Sequence, residues 1–182
     1  MMRGAPFFWC LAGGHAIAHV LGRSYRPHGD IDIVVLRPEQ LAVLNWLHEW
    51  RLYAADPPGS LRPWTLNETL PIGVHDVWCR REGRSAWELQ IMIQEAEGDS
   101  WYFRRDASVR GGVNDLATLV NGVPCLRMDL QLLFKSKDPR AKDEADFAEL
   151  MPVLTDAQRE TLAYWLRLVY PNGHLWLDAL DR

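Results

Sequence analysis

The chain has 182 residues, a formal net charge of −4, 48% hydrophobic and 24% charged residues. Those proportions exclude disordered, collagenous and coiled-coil classes and suit one domain, or one domain with a helical appendage. The acidic balance also argues against a dedicated nucleic-acid binder, whose phosphate contacts need a basic surface.

Ala5 to Gly22 carries no Asp, Glu, Lys or Arg, Arg3 precedes it, and Ala16-Ile17-Ala18 has the look of a small-residue cleavage site. A signal peptide or membrane span therefore competes with a folded segment. Pro6, Gly13-Gly14, His15 and His19 cut the apolar run into short pieces, which favours a buried strand from Phe7 to Ala12, a tight turn and a short helix closed by Gly22. Three widely spaced cysteines, Cys10, Cys79 and Cys125, form no CxxC pair and read as buried free thiols of a cytoplasmic protein. The nine tryptophans promise a filled core or aromatic-lined pockets.

Arg23 to Gly29 reads as a loop, and Ile31 to Leu36 alternates and is β-branched, which predicts a strand. Pro38 opens a helix with Leu41, Leu44 and Leu47 on one face. Leu52-Tyr53 is a short strand candidate, followed by a loop in which Pro57-Pro58-Gly59 and Pro63 oppose regular structure. Val74 to Arg80 and Ala86 to Gln94 predict an antiparallel hairpin, with an edge strand at Trp101 to Arg104. Beyond Pro124 the pattern turns helical. Met128 to Lys137 is one helix, Asp138-Pro139 opens a second as N-cap and first helical residue, and Thr155 to Gln158 is a capping box for a third. That third helix carries Leu162, Trp165, Leu166 and Val169 on one face and ends at Pro171-Asn172-Gly173. A short terminal helix follows His174. The expected organisation is a mixed core over residues 1–123 and a helical region over 124–182.

The stretch richest in chemistry runs from Gly13-Gly14 to Asp30-Ile31-Asp32. Residues i and i+2 of a strand share a face, so Asp30 and Asp32 project side by side. Two like charges this close cost energy unless a cation sits between them, and a hard divalent ion takes oxygen ligands. A strand whose aspartates face water is the plain alternative. A glycine pair between strand and helix lets backbone N–H groups approach an anion at the helix N-terminus, or makes only a tight turn. Neither a Walker A loop nor a Gly-x-Gly-x-x-Gly fingerprint is present. Glu88, in Trp87-Glu88-Leu89-Gln90-Ile91, would share a metal with the aspartates if the two strands are neighbours, or act as general base. It reads equally as a surface residue paired with Arg80 or Arg84. His15 and His19 stand four apart without an HExxH context, and packing is their expected role.

Taken together, Gly13-Gly14-His15-Ala16, Leu21-Gly22-Arg23, Arg26-Pro27-His28 and Asp30-Ile31-Asp32 resemble the nucleotidyltransferase superfamily, of the DNA polymerase beta-like fold. The likeness is nearest to the aminoglycoside and lincosamide adenylyltransferases. Less specifically, Gly122-Val123-Pro124-Cys125-Leu126, Leu132-Leu133-Phe134-Lys135 and Arg140 to Phe147 are similar to the helical region of that group. The resemblance implies an α/β (α+β) nucleotidyltransferase fold, a mixed β-sheet flanked by helices and followed by a small helical C-terminal part. It implies nucleotide contacts from Gly13, Gly14, Arg26, His28 and Lys135, and one or two Mg2+ ions on Asp30, Asp32 and Glu88, which are also the catalytic carboxylates. Asp76 is the second candidate for the third carboxylate. Lys142 and Asp146 help to organise the helix pair and form an i,i+4 salt bridge.

The implied reaction moves a nucleoside monophosphate, AMP from ATP or another NTP, to a hydroxyl of a small-molecule acceptor such as an aminoglycoside-like antibiotic. Five acids between Asp138 and Glu149 suit a polycationic acceptor, or simply form a solvated helix face. Two other readings stand beside it. A toxin-type enzyme acting on tRNA or protein would use a basic surface, for which Arg80, Arg81, Arg84, Arg104, Arg105 and Arg110 are available. A nucleotide-binding or interaction module would do no chemistry. A monomer or homodimer with no membrane contact is expected.

Overall fold

In a computed structural model of the chain, whose described residues are 1–181, the first strand β1 (Trp9–Ala12) runs without a loop into helix α1 (Gly13–Leu21). Ala16 and Ile17 bury the helix against the sheet, and Gly22, at φ 67°, turns the chain out through the left-handed region. Strand β2 (Ile31–Leu36) serves two cores, as its period of two dictates. Ile33 and Val35 pack beneath α2 (Gln40–Trp46), while Val34 and Leu36 join the core that holds α1.

Strands β3 (Trp50–Ala54), β4 (Arg62–Pro63), β5 (Asp76–Arg81) and β6 (Leu89–Gln94) follow. A small antiparallel sheet comprises β7 (Ala96–Glu97), β8 (Ser100–Phe103) and β9 (Asp106–Gly112). The chain then forms β10 (Ala117–Val120) and β11 (Val123–Leu126), and ends in α3 (Met128–Lys135), α4 (Ala141–Leu150), α5 (Asp156–Val169) and α6 (Leu177–Leu180). The main sheet has eight strands in the order β10-β11-β1-β2-β6-β5-β3-β4. It is mixed: β2 runs parallel to β6 and β1 to β11, and the other pairs are antiparallel. This is the expected α+β architecture.

Several local expectations give way. Pro63 pairs with Tyr53 in the two-residue strand β4, because a sheet edge tolerates a residue that cannot donate. Trp101 joins the separate small sheet rather than the edge of the main one. The second C-terminal helix does not start at Asp138-Pro139. Asp138 takes φ 48°, and Arg140 is the N-cap, with the Asp143 carboxylate accepting from its backbone N–H. Strand β11 crosses from residue 123 into 124–126, so the sheet recruits residues assigned in sequence to the helical region. The Thr155–Gln158 capping box forms as expected.

Most of the C-terminal helices bury onto the α1 face. Leu130, Leu132, Leu133, Leu150, Leu162 and Leu166 are fully buried there, each contributing roughly 1.5–3 kcal/mol on transfer from water. Tryptophan fills the same core: Trp176 stacks on Phe147 at 4.5 Å, and Trp101 meets Trp165 edge-on at 6.1 Å. All three cysteines are buried and free, and burial pushes the thiols of Cys10 and Cys79 up in pKa. Among the described residues, no helix is long and apolar enough to cross a membrane.

Candidate active site

A cavity of about 650 Å³ opens on the α1 face of the sheet. Its floor is the outward-turned alternate residues of three adjacent strands: Asp32 on β2, Gln90 and Met92 on β6, and Asp76 and Trp78 on β5. Register fixes their levels. Asp32 stands beside Gln90, Gln90 opposite Trp78, and Met92 opposite Asp76. The walls come from the start of α1, the loop before β2, the α3–α4 connection and the turn between β8 and β9.

The glycine turn is required by what lies against it. A Cβ on Gly13 would stand 1.7 Å from Oδ2 of Asp32, and Gly13 adopts φ 64°. A Cβ on Gly14 would meet the His28 ring at 2.2 Å and the Arg26 guanidinium at 2.8 Å. Two side chains of hydrogen thus let the helix start come down onto the carboxylates. The Gly13 N–H donates to Oε1 of the buried Gln131 at 2.6 Å. Ala12 offers α1 no side-chain cap and its first turn holds no acid, which leaves the helix N-terminus favourable to an anion.

Asp30 and Asp32 both line the cavity. Burial, and then the charge of Asp30, push the Asp32 carboxyl up to about 6. Among the described residues, no cluster of three or more His, Cys, Asp or Glu could hold a metal ion, so the carboxylate pair stands without a protein third ligand.

Behind the cavity wall lies a network of ion pairs. Asp146 is fully buried and accepts from Arg26 Nε at 2.7 Å and Nη2 at 2.9 Å, and from the Tyr25 hydroxyl at 2.6 Å. Lys135 Nζ lies 2.9 Å from Asp146 and 3.1 Å from Asp143. Arg140 closes the chain onto Asp143 at 2.7 Å. Burial alone would raise both carboxyls, but hydrogen bonds from Arg26, Tyr25 and Lys135 hold Asp146 below its usual range, and those from Arg140 and Lys135 hold Asp143 at about 2. The expected Lys142–Asp146 pair does not form. Asp146 is satisfied by residues far away in sequence, and Lys142 lines the cavity instead. His28 bonds Arg26 through Nδ1 at 3.0 Å and leaves Nε2 buried without a partner. Burial, then the Arg26 charge, lowers its pKa.

Of the sequence candidates, Gly13, Gly14, Arg26, His28, Asp30, Asp32 and Lys135 come together around this cavity, and Glu88 does not. The Glu88 carboxylate accepts from the Arg81 N–H at 3.3 Å and lies 3.9 Å from the Arg81 guanidinium. Asp76 is in the cavity, accepting from Gln90 Nε2 at 2.9 Å and lying 3.6 Å from Arg104. Arg104 and Arg105 line the same space. Arg80 is held over Trp87 and Tyr53, and Arg81 over Trp50, at the β5–β6 hairpin. Of the acids of α4, Asp143 lines the cavity but is held in ion pairs, Asp146 is buried in its own, Glu144 accepts from Trp176 Nε1, and Glu149 pairs with Arg23. His19 packs onto the Val120 carbonyl. Lys137 and Lys142, which the sequence pattern does not assign to nucleotide contact, are exposed cations on the cavity wall.

The model of the family described as aminoglycoside-2''-adenylyltransferase matches residues 1–150. The chain belongs to that family. Solved structures agree with this adenylyltransferase family in fold. The chain is similar to the lincosamide antibiotic adenylyltransferase LnuA with lincomycin bound, at 20% identity and a TM-score of 0.57, over 84% of this chain and 91% of that one. The solution structure of the antibiotic-resistance factor ANT(2'')-Ia gives 16% identity and 0.54 over 94% and 88% of the two chains. ANT(2")-Ia in complex with adenylyl-2"-tobramycin gives 14% and 0.51 over 90% and 89%. A search of curated proteins gives no match. This family member is a nucleotidyltransferase of the antibiotic-modifying adenylyltransferase type.

Proposed function

We propose that the chain transfers AMP from ATP to a hydroxyl of a small-molecule acceptor in the cavity above Asp30 and Asp32. The observation that carries this reading is the contact of Gly13 with Asp32, which brings the N-terminus of α1, whose Ala12 supplies no side-chain cap, against a carboxylate pair. A helix start receives phosphate, and paired carboxylates receive a hard cation. Mg2+ fits this donor set, because the pair is acidic, oxygen-only and, at Asp32, raised by burial and by its like-charged neighbour. Asp30 and Asp32 would hold it. When bound it would neutralise charge on the attacking and leaving oxygens.

The protein's own groups account for the remaining requirements. The Gly13-Gly14 turn and α1 receive the departing pyrophosphate, helped by Lys137 and Lys142. Lys135, tied to Asp143 and Asp146, positions the start of α4 and adds positive charge behind the phosphates. Arg26, fixed on Asp146, orients His28 at the cavity wall. Asp76 is the third carboxylate best placed to take the acceptor proton, a task worth about 10²–10⁴ in rate. Glu88 is turned away toward Arg81.

Calorimetric titration with ATP, with and without Mg2+, tests this reading. Saturable Mg2+-dependent binding that disappears in Asp30→Asn/Asp32→Asn is the expected result. A folded wild-type protein that binds no nucleotide would overturn the transferase and favour an interaction module.

A further inference from the structure

The in-line geometry of phosphoryl transfer divides the cavity into two ends. The attacking and leaving oxygens stand on opposite sides of the phosphorus. Strand order β1-β2-β6-β5 places the Gly13-Gly14 turn on one side of Asp32 and the Asp76–Trp78 strand on the other, two strand spacings, about 10 Å, away. With pyrophosphate leaving toward the glycines, the acceptor enters over β6 and β5. That end is bounded by Asp76, Trp78, Met92, Arg104, Arg105 and Phe134.

The charges there are unlike those a polycation needs. Asp76 is the acid of that end, and Arg104 faces it at 3.6 Å. Arg105 follows at once, with its guanidinium 5.4 Å from the Phe103 ring centroid and an Nη1 bond to the Phe134 carbonyl at 3.3 Å. No carboxylate among the described residues pairs with it, so two neighbouring cations share one acid. Partial desolvation, then the charge of Arg104, lower the Arg105 pKa, against the opposing influence of Tyr170 and Asp76. A side recess of about 40 Å³ opens between these arginines, His75, Met92, Phe103 and Phe134. It has room for a small group.

We propose that the acceptor carries an anionic group, carboxylate or phosphate, received by Arg104 and Arg105 next to the hydroxyl that Asp76 faces. The proposal rests on the AMP-transfer reading and narrows its substrate to an acceptor with an anionic group. Arginine suits the task, since its planar fork meets either anion with two parallel hydrogen bonds. Asp143 and Asp146 of α4 are already paired with Arg26, Lys135 and Arg140.

The test fills the nucleotide end with Mg2+ and α,β-methylene-ATP, which cannot transfer AMP, and titrates that complex with inorganic phosphate and, separately, with acetate. NMR follows the arginine Nε and the Trp78 indole signals. The expected result is saturable binding of at least one anion to the nucleotide-filled protein, weakened at least tenfold in Arg105→Gln. The two titrations tell a phosphate-bearing acceptor from a carboxylate-bearing one. Neither anion binding, or both merely displacing the nucleotide, would overturn the proposal while leaving the transferase intact. Failure of the nucleotide itself to bind would overturn both. A parallel assay with labelled ATP adds an independent readout: labelling of tobramycin with Arg104 and Arg105 in place would also overturn it.

Discussion

Gly13 and Asp32 occupy one position between them: a methyl group on the glycine would stand 1.7 Å from the aspartate's Oδ2. The pair is 19 positions apart in sequence and joined by antiparallel pairing of Ala12 with Asp32. Gly13→Ala is therefore expected to push the carboxylate out of place. It also forces an L side chain to φ 64°, at a cost of roughly 1–2 kcal/mol. Turnover should fall about 100-fold, the scale of an ångström-sized misplacement. Thermal melting beside steady-state kinetics separates the two effects. A variant with unchanged kinetics would remove the turn from the site.

Asp30→Asn and Asp32→Asn should each lower turnover about 10²–10³-fold, the usual effect of deleting one group that stabilises developing charge. Neither should destabilise the metal-free protein, because each relieves repulsion between two adjacent carboxylates. The informative pairing is melting temperature against kcat. Loss of both together would make the aspartates structural.

Much of this site was legible because its parts are local. Asp32 lies on β2 and Asp30 in the bend just before it, and the glycine pair sits where a strand must turn into a helix. The third carboxylate was not legible. Asp76 and Glu88 both lie in apolar strand sequence, and the choice between them depends on how β5 pairs with β6. Pairing sets Asp76 opposite Met92 in the cavity and turns Glu88 toward Arg81. Asp146 is a second case. Lys142 stands four residues before it, yet Arg26, 120 positions away, takes the carboxylate because the fold buries Asp146 against the loop before β2. The β10–β11 hairpin did carry a signal, Asn121-Gly122, with both residues at positive φ. Pro124 masks it, since proline argues against a strand except near an edge or a strand start.

Asp146 holds the loop before β2 to α4, so Asp146→Ala should unfold more than a surface pair would. It leaves Arg26, Tyr25 and Lys135 with unmet donors in a mostly buried setting. Breaking such a cluster costs about 3–5 kcal/mol. Urea denaturation checks the figure, and a loss below about 1 kcal/mol would mean the network is solvent-relaxed.

The same network sets an acid limit. The Asp143 pKa is about 2 in the folded protein, below its ordinary value of 3.8. A depressed carboxyl contributes stability above its unfolded pKa and loses it as pH falls through the folded one. The melting temperature of the wild type should therefore drop between about pH 4 and pH 2. Asp143→Asn should start lower at pH 7 and fall less over that window. Parallel curves for the two proteins would show that Asp143 is not the group responsible.

Asp76 and Glu88 offer the sharpest comparison, because each is an acid in the same hairpin. Asp76 faces the cavity, meets Arg104 and is bonded by Gln90, the residue beside Asp32. Through that amide, Asp76 is one hydrogen bond from the residue beside Asp32. Asp76→Asn keeps the size and the hydrogen-bond reach but removes the base, so kcat should fall at least about 10²-fold with little change in nucleotide affinity. Glu88→Gln removes a charge near Arg81, where the guanidinium is well exposed, and should change kcat less than about twofold. The reversed pattern would require the β5–β6 hairpin to rearrange when the nucleotide binds, bringing Glu88 over Asp30.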